Sequence, residues 1–196
     1  MIFNRLSRRA LFVGAIIGVT MMGTAMSDAA PKLDPNNTAY LDLKDGRVVV
    51  ALRPDLAPKT VEQFKKLCAS GFYDGTPFHR VIEGFMAQGG DPTGTGTGGS
   101  KLPNVPAEFT NKAHFLTGTL GMARSADPDS GNSQFFIMFA PNPSLDGNYT
   151  IFGQVVEGMQ YVDKIKRGTG ANGMVSSPDH LLKCQLMADA KPYQKP

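Results

Sequence analysis

The sequence predicts a mainly β domain, a closed antiparallel barrel of short strands capped by two helices. Three observations carry this reading. Short runs of alternating or β-branched residues recur along the chain, each bounded by turn residues. The 22 glycines among 196 residues favour turns and short strands over long helices. Only two segments carry a helical pattern. A chain of this length suffices for one domain with a full core.

Taken in order, Tyr40-Leu41-Asp42-Leu43 alternates and reads as a strand. Lys44-Asp45-Gly46 supplies a hairpin turn, and the β-branched run Arg47–Leu52 is the returning strand. Pro58–Cys68 reads as a helix. Its proline suits the first turn, where the amide it lacks would have no partner anyway. Val61, Phe64, Leu67 and Cys68 fall on one face, and Gly71 is placed to end it. Strands follow at Pro77–Ile82, Phe85–Gly89, Thr119–Ala123, Gln134–Met138 and Ile151–Val156. A short helix fits Met159–Lys166 and a last strand Leu181–Met187.

Residues 1–27 are a separate object. Arg5, Arg8 and Arg9 precede an uncharged apolar stretch, Ala10 to Ala25, and small residues then cluster at Gly23, Ala25, Ser27, Ala29 and Ala30. This is the layout of an export signal. The stretch of about 16 residues falls short of the roughly 20 that a membrane-spanning helix needs, and an uncleaved anchor is the alternative. Ser7-Arg8-Arg9-Ala10-Leu11-Phe12 resembles a twin-arginine export motif, with an ordinary secretory signal as the other possibility. The expected organisation is an export signal over 1–27, a linker over 28–38, one domain over 39–190 and a tail over 191–196, with the mature protein periplasmic or otherwise exported.

The charge balance follows from this division. The chain has 20 basic and 17 acidic residues, and the three arginines of the signal are the whole excess. Beyond them the charges cancel and no basic run of five or six survives, so nucleic-acid binding is not expected. Cys68 and Cys184 lie too far apart for their spacing to carry a signal. Two buried thiols are the preferred reading; a disulfide, which export would permit, is the alternative.

The most informative stretch is Phe78 to Gly90, F-H-R-V-I-E-G-F-M-A-Q-G-G. Alternation puts Phe78, Arg80 and Ile82 on one side of a strand, and a Glu-Gly turn leads into a second apolar run. A lone arginine among apolar neighbours is costly unless it has partners or a task. The stretch holds neither a metal-ligand cluster nor an evident nucleophile. Other motifs fail on context. Gly94-Thr95-Gly96-Thr97-Gly98-Gly99 matches a dinucleotide fingerprint, but Pro103 and Pro106 downstream exclude the helix that such a site needs. A tight loop with positive φ is expected instead. His79, His114 and His180 are too few for a zinc site, and His79 reads as a satisfied structural histidine. Ser133 lies outside any G-x-S-x-G elbow.

With F-H-R, G-F-M-A-Q-G-G-D and G-T-G-x-G-G, the later blocks G-M-A, S-Q-F-F-I and L-D-G complete an ordered set. Over roughly Tyr40 to Ala188 the chain resembles the cyclophilin family of peptidyl-prolyl isomerases. The resemblance implies the eight-stranded cyclophilin barrel, rotation of X-Pro bonds during protein folding, and no cofactor or metal. It implies Arg80 as the catalytic residue and an apolar proline pocket of Phe85, Met86, Phe136 and Leu145. Gln88 and the Ala123 backbone match positions that bind the substrate peptide, with Gln134 in support. Two departures stand out beside the pocket: Ser144 where many eukaryotic members have a tryptophan, and Tyr149 where they have a histidine. The indole of that tryptophan contacts the inhibitor cyclosporin in the family, so weak cyclosporin binding is expected. Arg124 replaces the family's usual asparagine. Expected partners are unfolded or folding proline-containing polypeptides, bound by a monomer that contacts neither nucleic acid nor, once the signal is removed, a membrane. A non-catalytic peptide-binding module or chaperone on the same barrel is the rival reading.

Overall fold

A computed structural model describes residues 32–195, so the expected export signal lies outside the described residues. Ahead of the first strand, Asp34 caps a short turn, Pro35–Asn37, by accepting from the Asn36 amide. The predicted opening hairpin then forms: β1 (Thr38–Leu43) pairs antiparallel with β2 (Gly46–Leu52), Leu41 opposite Val48. α1 spans Pro58–Ala69 and buries the predicted face of Val61, Phe64, Leu67 and Cys68. Gly71, at φ +73°, follows its end in the left-handed region. Phe64 centres the main core, its ring 5.1 Å from Tyr73, 5.7 Å from Phe135 and 5.2 Å from Phe152. The buried Tyr73 hydroxyl donates to the Ser133 carbonyl at 3.0 Å, and burial pushes its pKa up.

The remaining strands are β3 (Thr76–Pro77), β4 (Arg80–Ile82), β5 (Met86–Gly89), β6 (Thr119–Met122), β7 (Phe135–Met138), β8 (Ile151–Glu157), β9 (His180–Leu181) and β10 (Lys183–Leu186). Eight of them form one antiparallel sheet in the order β10-β1-β2-β8-β6-β7-β5-β4. The sheet does not close. It is an open half-barrel that curls through 204°, with β10 and β4 as its edges. The expected closed barrel is therefore corrected, and the reason is local. The run predicted as one strand, Pro77–Ile82, breaks at Phe78–His79, and the last predicted strand breaks at Leu182. The pieces before the breaks, β3 and β9, pair with each other in a separate two-stranded ribbon, Thr76 opposite Leu181. The ribbon ends one step past Pro77, where the Phe78 amide donates to the Asp179 carbonyl at 2.9 Å. The free edge of β4 is instead covered by the 168–174 loop, through Val81 N–H to the Gly173 carbonyl at 2.7 Å and Gly168 N–H to the Val81 carbonyl at 2.9 Å.

Two further expectations change. The second helix, α2, is a single turn, Met159–Val162. Beyond it the amides turn to three-residue spacing, Lys164 N–H to the Tyr161 carbonyl at 3.2 Å and Ile165 N–H to the Val162 carbonyl at 3.0 Å, and the Arg167 guanidinium binds the Asp163 and Ile165 carbonyls. Cys68 and Cys184 are buried as expected, but they form a disulfide rather than two thiols. α1 lies against β10, which brings their Cα atoms to 5.1 Å, within bridging range. Among the described residues no helix is long and apolar enough to cross a membrane.

Candidate active site

Arg80 and Gln88 face each other across the β4–β5 pair, and Gln88 is opposite Phe136 of β7. Three neighbouring strands thus deliver a cation, an amide and an aromatic ring to one spot. The break before β4 also redirects its neighbours. Phe78, expected on the side of Arg80, is buried in the main core with Val81, whereas Ile82 packs with the residues around Phe136. These form a second, smaller cluster of Met86, Phe115, Phe136, Met138 and Ile151, flanked by Phe85, Ala123, Leu145 and Tyr149. Phe136 stacks on Phe115 at 5.7 Å and meets the edge of Tyr149 at 5.7 Å. Gly121 lies opposite Phe136, and a β-carbon there would collide with its ring.

The cluster floors a cavity of about 180 Å³ lined by Arg80, Phe85, Met86, Gln88, Ala123, Arg124, Phe136, Leu145 and Tyr149. Every site residue singled out in the sequence is there except Gln134, which lines an adjoining groove of about 460 Å³ with Gly96, Gly98, Asn132 and others. Gln88, Ala123 and Arg124 line both. A relay of amides joins them. Arg80 donates through Nη1 to Gln88 Oε1 at 3.1 Å, Gln88 Nε2 donates to Gln134 Oε1 at 2.9 Å, and Gln134 Nε2 donates to the Gly98 carbonyl at 2.8 Å. Arg80 Nε donates to the Asn172 carbonyl at 3.0 Å. The guanidinium is fixed on two sides, forms no salt bridge among the described residues, and keeps N–H donors for a substrate.

Sequence reasoning misses several supports of this pocket. The Asn172 and Asn148 carbonyls are backbone groups that any residue supplies, so no sequence signal marks them. Phe115 lies in no predicted element. Asp146 accepts from the Phe115 amide at 2.9 Å and pairs with His114 Nδ1 at 2.7 Å, tying the 114–115 segment to the loop that carries Leu145 and Tyr149. The Phe115 amide, and after it His114, holds the Asp146 carboxyl below its ordinary range. The glycine-rich loop is the expected tight turn, with Gly94 at φ +68° and Gly96 at +86°. Its organiser is Asp91, whose carboxylate accepts from Thr93, Gly96 and Gly98. His79 beside it is buried, which lowers its pKa and keeps it neutral. It differs from expectation in that neither ring nitrogen has a protein partner.

A pocket with an apolar floor and two fixed guanidiniums, Arg80 and Arg124, and with no nucleophile or carboxylate in its lining, suits a reaction without bond cleavage. The comparisons agree with this class. Residues 38–186 match the family described as Cyclophilin type peptidyl-prolyl cis-trans isomerase/CLD. The chain belongs to that family, and it is a peptidyl-prolyl cis-trans isomerase. A probable peptidyl-prolyl cis-trans isomerase of Brucella suis is 50% identical over 196 residues, covering 94% of this chain and 98% of its own. Peptidyl-prolyl cis-trans isomerase B of Bacillus subtilis is 45% identical over 133 residues, covering 67% of this chain and 92% of its own. Among solved structures, a Hirschia baltica cyclophilin is similar with a TM-score of 0.72 at 28% identity, covering 82% of this chain and 77% of its own. A Cryptosporidium parvum cyclophilin studied in the presence of the dipeptide Ala-Pro gives 0.70 at 29%, covering 76% of this chain and 98% of its own.

Proposed function

We propose that Arg80 accelerates X-Pro rotation by stabilising the twisted imide. Rotation meets a barrier of about 18–20 kcal/mol because amide resonance must be lost. In the twisted state the proline nitrogen becomes pyramidal and gains a lone pair able to accept a hydrogen bond. A guanidinium held beside it binds that state better than either planar one. Arginine suits the role because it stays charged and its donors point in fixed directions. Phe85, Met86, Phe136, Leu145 and Tyr149 enclose the proline ring, while Gln88 and the Ala123 backbone hold one flank of the peptide as the other turns. The observation that carries this reading is the Arg80 guanidinium, tethered to the Asn172 carbonyl and Gln88 in a cavity that also holds Phe85, Met86, Phe136 and Leu145. A protease-coupled assay on a proline tetrapeptide tests it. Arg80→Ala is expected to lose about 10²–10³ in kcat/KM, the consequence of about 2.7–4 kcal/mol of lost transition-state stabilisation. Near-wild-type activity in that variant would overturn the mechanism.

The substrates are proline-containing polypeptides, and we infer that they are met outside the cytoplasm by a monomer. The basic and apolar layout of residues 1–27 supports export, and so does the Cys68–Cys184 disulfide, a bond that persists in oxidising compartments.

A further inference from the structure

Arg124 is the second guanidinium at the site, and the one that touches both cavities. Its Nε and Nη2 donate to the Asn148 carbonyl at 3.1 and 3.0 Å, and Nη1 donates to the Ser125 carbonyl at 2.9 Å. Its planar head lies over the Tyr149 ring at 4.7 Å and near Phe109 at 5.9 Å. The side chain is thereby held in place by neutral groups alone. No carboxylate pairs with it among the described residues, and its remaining N–H donors have no protein partner. Neither cavity has an aspartate or glutamate in its lining, so Arg80 and Arg124 are the charges there and both are positive. The nearest acids along the chain are turned elsewhere: Asp127 accepts from the Asp129 amide, and Asp129 from the Ala107 amide.

A peptide whose proline fills the smaller cavity crosses the Ala123–Arg124 junction to enter the larger groove. We propose that Arg124 makes the enzyme selective for substrates with an acidic side chain beside the proline, on the flank that enters this groove, and selective against lysine or arginine there. This rests on the isomerase reading above and adds the substrate class. A preformed cation that needs no rearrangement and has no internal counter-charge gives an incoming carboxylate a net attraction. The attraction is modest because the groove is open to solvent and salt.

The test uses the full domain and capped peptides, which carry no terminal charges. Glu, Gln and Lys are placed in turn at the two positions before proline and the one after it, and kcat/KM is read by exchange NMR without a protease. At one position at least, Glu should exceed its near-isostere Gln by about fivefold at low ionic strength, with Lys below Gln, and the ratio should shrink toward unity in high salt. Arg124→Gln should abolish the ratio, Arg124→Lys should keep its sign, and Arg124→Glu should invert it. Equal rates for Glu and Gln at all three positions in the wild type would overturn the proposal, as would a ratio that survives in Arg124→Gln. Dissociation constants from shift titration separate the two readings. A wild type that binds the peptides but turns none over defeats the isomerase mechanism, while the Glu-to-Gln affinity ratio still decides the role of Arg124.

Discussion

Asp91 governs the loop that walls the larger groove. Burial by itself would push its carboxyl up, but hydrogen bonds from the Thr93 hydroxyl and from the Thr93, Gly98 and Gly96 amides outweigh it and hold the group below its ordinary value. A depressed folded pKa contributes stability that is present above the unfolded value near 3.9 and is lost as pH falls through the folded one. Asp91→Asn should therefore cost about 1–3 kcal/mol at neutral pH, since it replaces one acceptor oxygen by a donor among amides that also donate. Urea melts across pH should show the gap between wild type and variant narrowing as pH drops from 5 to 3; a constant gap would mean that the charge is not what matters. Ser144 tests the opposite wall. It is exposed, and its hydroxyl donates to Asn142 Oδ1. Ser144→Trp should tighten cyclosporin by at least about tenfold, roughly 1.4 kcal/mol, with little change in kcat/KM on short proline peptides, because the added ring extends the surface beside the pocket without altering its floor. Calorimetry and the isomerase assay together measure the two properties, and equal affinity in both proteins would refute the assignment of that position.

At the level of elements, the disulfide closes a sequence separation of 116 residues between α1 and β10. Loops of that size predict a loss of about 2–5 kcal/mol when the bond is removed. Cys184→Ala should lower the urea midpoint accordingly while leaving the far-ultraviolet spectrum native, and reductant should destabilise the wild type but not the variant. The pairing was not legible in the sequence, because it depends on α1 lying across β10 and no local spacing encodes that. Elements with strong local signals were legible. The β1–β2 hairpin carries its turn residues in Lys44-Asp45-Gly46, and α1 carries a proline at its start and one apolar face. The second helix was overread because its spacing does not distinguish a continuing α-helix from the tighter three-residue turns that follow Val162. The strand at Phe78 was misread in phase, since a single irregular step at Phe78–His79 sends Phe78 into the main core and leaves Arg80 and Ile82 on the groove side. Arg80, Gln88 and Phe136 still come together, because the register of β4, β5 and β7 places them opposite one another whatever the path of the chain at Phe78.

On the scale of the molecule, the closed barrel failed as an expectation for a topological reason. Strand count and alternation say nothing about whether the two outermost strands meet, and here a small ribbon and a loop stand between them. Alternation along β5, β7 and β8 sorts the side chains into two cores: Ala87, Phe135, Ile137 and Phe152 join the main one, and Met86, Phe136, Met138 and Ile151 form the cluster that floors the candidate site. Export is the remaining prediction at this scale. Mass spectrometry of native protein should find a mature chain beginning between about Met26 and Ala30 in an extracytoplasmic fraction. Intact Met1 on a cytoplasmic species would refute it.

The order of the sheet has a consequence for how the chain is made. β1 is the first strand of the sheet to be made, and it lies between β2, which follows at once, and β10, the last strand of the sheet, with Leu41 opposite Cys184. Until β10 emerges, the nascent domain therefore carries a row of bare backbone amides and carbonyls along β1. Exposed edges of this kind recruit other strands and are where incomplete chains clump. The isomerase domain is thus itself vulnerable until its last strand is made. The strand that ends the exposure also carries the cysteine that fastens it in place.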